Sequence, residues 1–356
     1  MGTIQLARPY YHCAACSTGH VPWDRELGLN RRSFTPAAQE VVALAGTLVS
    51  FPKGSEETLR TLSGVRVSES TVQRTTEDAG MRLRELLDEG KVLGEACCWQ
   101  WQLDAQGRTC AYVSVDAVSV RQQGPGAAKA EGRMAYVTKL YSPAMTEGAA
   151  PPRDQVRYLA GFRDLNGLGL RLRQQAAQVG WDQAEQQIAI SDGGGGLEDF
   201  FRKNFPLAEC ILDFWHAKEH LVELSLAWFG ADEAARQSWL DQQCHRLKHE
   251  GGRSLITELE MMDVSGRSSA AREAHREHLQ YFRNHVHKMD YPRYRENGWQ
   301  IGSGPVEAAC KSVVSERLKC SGMRWGRDGA DAVCHLRALW LSEPDQWNSF
   351  WRDHPN

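Results

Sequence analysis

The spacing of apolar positions changes period several times along this chain, and each change marks a boundary between elements. Behind Pro36, the residues Val41, Val42, Leu44, Ala45 and Leu48 recur at helical spacing, which predicts a helix. After Phe51-Pro52-Lys53-Gly54, Ser55 reads as the N-cap of a second helix and Gly64 as its stop. Ser68 then opens a third helix, rich in Thr, Gln and Arg. From Thr109 the period becomes two. Thr109–Val120, Ala135–Tyr141 and Val156–Phe162 read as three strands, the first two joined by a turn at Gly124-Pro125-Gly126. A helix over Leu168–Val179 follows, then a strand Gln187–Ser191, a short helix Leu197–Arg202, a strand Glu209–Asp213 and a helix Ala217–Trp228. Three strands in a meander followed by helix–strand repeats predict an α/β protein with a mixed sheet covered by helices. Residues 229–300 return to helical spacing with no strand pattern, and a last helical stretch follows Ile301-Gly302-Ser303-Gly304-Pro305.

Charge narrows the function. The 356 residues carry 42 Lys and Arg against 45 Asp and Glu, so the chain does not coat nucleic acid through a global positive charge. A local patch remains: Lys311, Arg317, Lys319, Arg324 and Arg327 face a single acid, Glu316, in the same stretch. No apolar run reaches the length of a membrane span, and the start Met-Gly-Thr-Ile-Gln-Leu-Ala-Arg lacks an apolar export signal, so a cytoplasmic protein without a membrane partner is expected. Its ten cysteines are then expected to be reduced. Cys13-Ala14-Ala15-Cys16 has the shape of half a zinc knuckle. A structural Zn²⁺ needs four ligands, and only His12 and His20 stand nearby, so two ordinary thiols are an equal alternative. The helix–glycine turn–helix over residues 55–76 suits DNA, with Arg66, Ser70, Gln73 and Arg74 nearest the bases; a hairpin with a solvated face is the plainer alternative. Six histidines between 245 and 287 lack a recurring ligand spacing, which argues against a metal-storage surface.

Three carboxylates are placed unusually. Asp116 interrupts an apolar strand, Asp192 ends a buried one beside four glycines, and Glu307 follows Gly302-Ser303-Gly304-Pro305 at a helix start. A buried carboxylate is costly unless it is paired, hydrogen-bonded or metal-bound. The first and fourth strands are expected to be neighbours, which lets the two aspartates converge. Joined by Glu307, they suit two divalent ions, whose hard oxygen chemistry serves displacement at phosphorus. Taken singly, each has a plainer role: an edge position for Asp116, a helix cap for Asp192, and for Glu307 a favourable helix terminus or a pairing with Lys311.

Asp116 in Ser-Val-Asp, Asp192 in Ile-Ser-Asp-Gly, Asp213-Phe214-Trp215-His216, Gly302-Ser303-Gly304-Pro305-Val306-Glu307 and Arg317-Leu318-Lys319-Cys320-Ser321-Gly322-Met323-Arg324-Trp325 follow one another in this order. With them the chain resembles the ISKra-type insertion-sequence transposases, relatives of the Mutator-like DDE transposases. The resemblance implies an RNase H-like core over residues 100–228, interrupted by a helical insertion at 229–300 and completed by 301–356. A zinc-knuckle-like segment (1–34) and a helix-turn-helix domain (35–95) would precede it. It further implies that Asp116, Asp192 and Glu307 bind two Mg²⁺ or Mn²⁺ ions and that Asp213 and His216 form a D-x-x-H motif at the site. Lys311, Arg317, Lys319 and Arg324 would then hold phosphates, with Trp325 stacking on DNA or filling the core. The implied partners are the element's terminal repeats, target DNA and further copies of the chain, in a prokaryotic cytoplasm. The alternatives are a transposase-derived DNA-binding protein without catalysis and another RNase H-like nuclease.

Overall fold

The computed structural model of the chain describes residues 5–27, 29, 34–124, 130–142 and 155–353. A small antiparallel hairpin, β1 (Tyr11–Cys13) and β2 (Thr18–His20), leads to a short helix α1 (Pro22–Glu26). Helix α2 (Pro36–Leu48) is capped by Thr35, whose hydroxyl accepts the Ala38 N–H at 3.4 Å. Helix α3 (Phe51–Lys53) runs on as a wider, π-type helix over Gly54–Ser63. Ser55 therefore lies inside a helix and caps nothing; its hydroxyl donates instead to the Val67 carbonyl. Pro52 supplies the start further upstream, as a proline in the first turn does. Gly64 does stop the helix, with φ of 69°. Ser68 caps α4 (Glu69–Asp88), accepting the Thr71 N–H at 3.3 Å.

The sheet begins with a short strand β3 (Gln102–Leu103), which pairs with the long β4 (Thr109–Gln122). Then come β5 (Glu131–Tyr141), β6 (Val156–Gly161), helix α5 (Leu165–Gln178), β7 (Gln186–Ser191), helix α6 (Leu197–Asn204), β8 (Glu209–Leu212) and helix α7 (Phe214–Phe229). The alternation of elements is the one the sequence period predicts. Both long strands of the hairpin reach further than their apolar patterns do, because Gln122 still pairs with Glu131 in polar sequence. Of the expected turn between them, residues 125–129 lie outside the described residues. Spatially the strands run β6-β5-β4-β7-β8. β4, β5 and β6 are antiparallel neighbours, and β4, β7 and β8 are parallel.

Strand periodicity divides the core. Cys110 and Tyr112 of β4, with Ile188 and Ile190 of β7 and Ile211 of β8, pack towards α7 and the helices that follow it: α8 (Glu233–Glu250), α9 (Gly252–Glu260), α10 (Ser269–His285) and α11 (Tyr291–Glu296). The alternate positions Ala111, Val113, Val115 and Ala189 pack towards α5, α6 and the tryptophans Trp99, Trp101 and Trp181. The chain then returns through α12 (Gly304–Ala309), which continues as Cys310–Ser315 and α13 (Glu316–Leu318), and ends in α14 (Arg327–Leu341) and α15 (Pro344–Asp353).

The N-terminal helices share this core. Val42, Phe51, Leu59 and Val72 lie in one cluster with Val120, Val137, Val313 and Val333. Arg317 is 1% exposed: its Nε donates to the Gly46 carbonyl at 3.0 Å, and its guanidinium lies over the Phe51 and Trp325 rings. Burial and the nearby Arg337 push Arg317 down to about 10. Among the described residues, no helix is long and apolar enough to cross a membrane.

α4 crosses α14 at very close range. A Cβ added at Gly80 would stand 2.4 Å from the Ala332 carbonyl oxygen. Gly→Ala in an exposed helix interior stabilises by about 1 kcal/mol. Here the sign is expected to reverse: Gly80→Ala should destabilise by about 1–3 kcal/mol, read as a lower urea midpoint. A midpoint that rises would mean that the two helices are further apart.

Candidate functional site

β4 and β7 pair in parallel up to Ser114 opposite Ile190, and β7 and β8 up to Ser191 opposite Leu212. Two residues beyond Ser114 and Ile190 stand Asp116 and Asp192; one beyond Ser191 and Leu212 stand Asp192 and Asp213. Register therefore sets three aspartates in a row across three adjacent parallel strands, just past the ends of β7 and β8 and midway along the longer β4, where neighbouring strands lie about 4.8 Å apart. This is the end of a parallel sheet at which ligands are bound. Asp116, Asp192 and Asp213 line a cavity of about 210 Å³ together with Trp215, His216, Glu219, Ser303 and Glu307.

Each carboxylate is held differently. Asp213 is buried and caps α7, accepting the Trp215 N–H at 3.1 Å on Oδ1 and the His216 N–H at 3.3 Å on Oδ2. The same oxygens accept the Ser303 N–H at 3.0 Å and the Ser303 hydroxyl at 2.8 Å. Beside them the Phe214 N–H donates to the Ile301 carbonyl at 2.9 Å. Asp213 is thus a clamp that closes the helical excursion over residues 229–300. Three N–H groups hold its two oxygens, with the Ser303 hydroxyl as a donor shared with Glu307, so its part at the site is positional. Lys139 of β5 adds a second anchor: its ammonium, pushed down to about 8 by burial, donates to the Pro305 carbonyl at 3.4 Å.

Glu307 stands in the first turn of α12, with Oε1 accepting the Ser303 hydroxyl at 2.7 Å. That hydroxyl has one proton and two carboxylate neighbours, so it can satisfy only one at a time. Asp192 is no helix cap: Gly196 precedes α6, and Asp192 Oδ1 instead accepts the Gly194 N–H at 2.8 Å within its own turn. The Tyr281 hydroxyl reaches across from α10 to the Asp192 carbonyl at 3.3 Å. Asp116 is half-buried. Burial first, then the negative charges of Asp192 and Glu307, push its carboxyl above the ordinary value, while the Ala117 N–H and the Cys310 thiol oppose them. The Cys310 Sγ lies 3.4 Å from Asp116 Oδ2. Burial and Asp116 push that thiol well up, so it stays protonated and donates.

Ser303, Cys310, Trp215 and Tyr281 were not candidates in the sequence. Trp215, within Asp213-Phe214-Trp215-His216, is 56% exposed at the cavity, and Lys218 lies 5.3 Å from its ring. An apolar residue so exposed cannot be recognised from composition alone. Ser303 had a signal in its glycine-flanked turn; Cys310 and Tyr281 had none.

The basic candidates divide. Lys311, Lys319 and Arg324 are exposed. Lys319 and Arg121 line a groove of about 570 Å³ that also includes Ser119, three residues along β4 from Asp116, or roughly 10 Å. Arg317 and Trp325 are corrections: both are core residues. Trp325 is 7% exposed, lies edge-on to Phe51 and donates its Nε1–H to the Leu318 carbonyl at 3.0 Å. Neither is available to DNA in this structure, because the guanidinium packs over both rings and bonds to the α2 backbone. On α4, Ser70, Gln73 and Arg74 are exposed, as is Arg66 before it; Arg74 Nε donates to the Ser70 carbonyl at 3.0 Å and Gln73 to Glu77 at 3.0 Å. Cys13 and Cys16 sit exposed on the β1–β2 hairpin, and among the described residues no third His, Cys or carboxylate joins them at ligand distance.

Compared with known proteins, the chain matches no family model and no curated protein. Its chemistry is therefore read from the cavity itself.

The two buried aspartates should respond oppositely to loss of charge. Asp213→Asn places an amide against four donors and is expected to lower stability by about 2–4 kcal/mol. Asp116→Asn relieves repulsion and should raise the melting temperature of chelator-treated protein. Thermal melts of both variants in EDTA check this; a melting temperature lowered in both would show that the carboxylates do not repel one another.

Proposed function

We propose that this chain is a DDE transposase of an insertion sequence, built on an RNase H-like core. The observation that carries the reading is the convergence of Asp116, Asp192 and Glu307 on one cavity, where β7 and β8 end beside the middle of β4. Support for the core comes from the strand order, in which a three-stranded antiparallel meander is extended by two parallel strands on the side of its first strand.

The donor set fits Mg²⁺ or Mn²⁺. All three side chains offer hard oxygens, and the repulsion felt by Asp116 is the kind a cation relieves. The three do not form a group with every ligand atom within 4.8 Å of the others, which a single-ion cage would need. Two ions side by side, about 4 Å apart, accept a wider spread. Bound there, such a pair supplies charge stabilisation to the attacking and leaving oxygens of an in-line displacement at phosphorus.

The protein's own groups then have definable tasks. The Cys310 thiol and the Ala117 N–H fix the Asp116 carboxylate, and the Ser303 hydroxyl fixes Glu307. Trp215 with Lys218 presents a ring face and a positive charge at the cavity wall, suited to a nucleotide and its phosphate. The groove with Arg121 and Lys319 extends the path for the DNA backbone, with Lys311 and Arg324 contributing charge from the same segment. The helix from Phe51 to Ser63, the Gly64 turn and α4 act as a helix-turn-helix reading the element's terminal repeats through Arg66, Ser70, Gln73 and Arg74. Two copies of the chain pair the two ends.

Asp116→Asn and Glu307→Gln should each abolish Mg²⁺-dependent nicking of DNA carrying the element's ends, with binding nearly intact in gel-shift titrations. Nicking that survives Asp116→Asn overturns the assignment. Binding without nicking by the parent chain would favour a transposase-derived DNA-binding protein. Arg74→Ala is expected to weaken end-containing DNA by about 1–3 kcal/mol and unrelated DNA by less; equal losses would remove α4 from base reading.

A further inference from the structure

Behind the carboxylate cavity lies a second cluster that the proposed chemistry does not use. His220 and Glu223 are one turn apart on α7, and His278 faces them from α10. The Nδ1 atoms of His220 and His278 are 3.0 Å apart, and the His278 Nε2 lies 3.7 Å from a Glu223 carboxylate oxygen. One ligand atom from each of the three lies within 4.8 Å of the other two, and among the described residues no other group of His, Cys, Asp or Glu does this. The rings are held in place. His220 stacks on Tyr281 with ring centres 3.6 Å apart, and His278 is buried. Glu223 is exposed, which leaves the third ligand open to incoming solution.

We infer that His220, His278 and Glu223 form a binding site for Zn²⁺ or a similar borderline transition ion. Two imidazoles and one carboxylate are a set that takes Zn²⁺ in preference to Mg²⁺, with the fourth position left to water. Two imidazole nitrogens at 3.0 Å are also close to the separation that adjacent ligands take around a tetrahedral ion with bonds of about 2.0–2.1 Å. The ligands come from both sides of the junction between the sheet-packed α7 and the inserted α10, so a bound ion would pin the insertion to the core. His216, with its ring centre 5.2 Å from that of His220, lines the carboxylate cavity and stands between the two sites. The site is independent of the transposase reading, because it uses none of the residues assigned to strand cleavage.

The test is a Co²⁺ titration of the full chain carrying Cys13→Ser and Cys16→Ser, stripped with chelator and read by visible absorption. One equivalent of Co²⁺ should give ligand-field bands without a thiolate band, and Zn²⁺ should displace it. Loss of an outer partner of a ligand typically weakens metal binding 10–100-fold, so His278→Gln, which removes a ligand, should weaken it by about 100-fold or more. Glu223→Gln, at an exposed position where folding is not at risk, should weaken binding at least about tenfold, with an unchanged circular dichroism spectrum. No stoichiometric binding by the parent overturns the inference and leaves a His–His hydrogen bond. Binding unchanged in both variants overturns it as well. So does a signal that disappears in Asp116→Asn and persists in His278→Gln, which would place the ion in the carboxylate cavity.

Discussion

The position of Glu307 depends on the Asp213 carboxylate. Eighty-odd residues of helix separate β8 from the Gly302-Ser303-Gly304-Pro305 turn, and closing so long a loop is entropically unfavourable. Asp213 offsets this by accepting two N–H groups from the start of α7 and two donors from Ser303 in a buried position. A carboxyl group held by three N–H groups and a shared hydroxyl in a low-dielectric setting is a strong, geometrically specific joint. It brings α12 to the end of the sheet with Glu307 in its first turn. Without that joint, Asp116 and Asp192 would lack Glu307 beside them.

The same row shows why one carboxylate serves structure and another is left under strain. Asp213 has donors on both oxygens, whereas Asp116 has one backbone N–H and a weak thiol donor and faces two further negative charges. An arrangement that holds like charges together in the folded chain lowers stability at the site, and binding of a cation is the ordinary way to recover it.

Arginine has two physical roles here. Arg121 and Arg324 expose their charge, while Arg317 and Arg337 bury theirs. Arg337 donates to the Val313 carbonyl at 2.9 Å and to the Thr47 carbonyl at 3.1 Å. Arg337 thereby ties α2 to the C-terminal helices through several donors at once, and Arg317 does so through its Nε–H and its contact with the Phe51 ring. These contacts, with the close crossing of α4 and α14, make the N-terminal helices part of the sheet's core; residues 35–95 and 100–228 do not have separate interiors.

The sequence by itself determined the order of the elements and the face each presents, because periods of two and 3.6 are local properties of the chain. It placed Asp116 as a candidate because a charged residue breaks an apolar pattern visibly, and Asp192 and Glu307 because each stands beside glycines at the boundary of an element. Within the elements it misjudged Ser55, where a proline three residues earlier had already started the helix, took Arg317 for an exposed group, and left Trp325 open between stacking on DNA and filling the core. Charge and aromaticity are the same letters in a groove or a core, and only packing against Phe51 and Gly46 separates the two. Tertiary structure alone also decided the pairing of His220 with His278, which come from helices 58 residues apart. Spacing along the chain carries no trace of that contact; it exists because α10 packs on α7, and that packing is set by burial over the whole insertion rather than by either histidine.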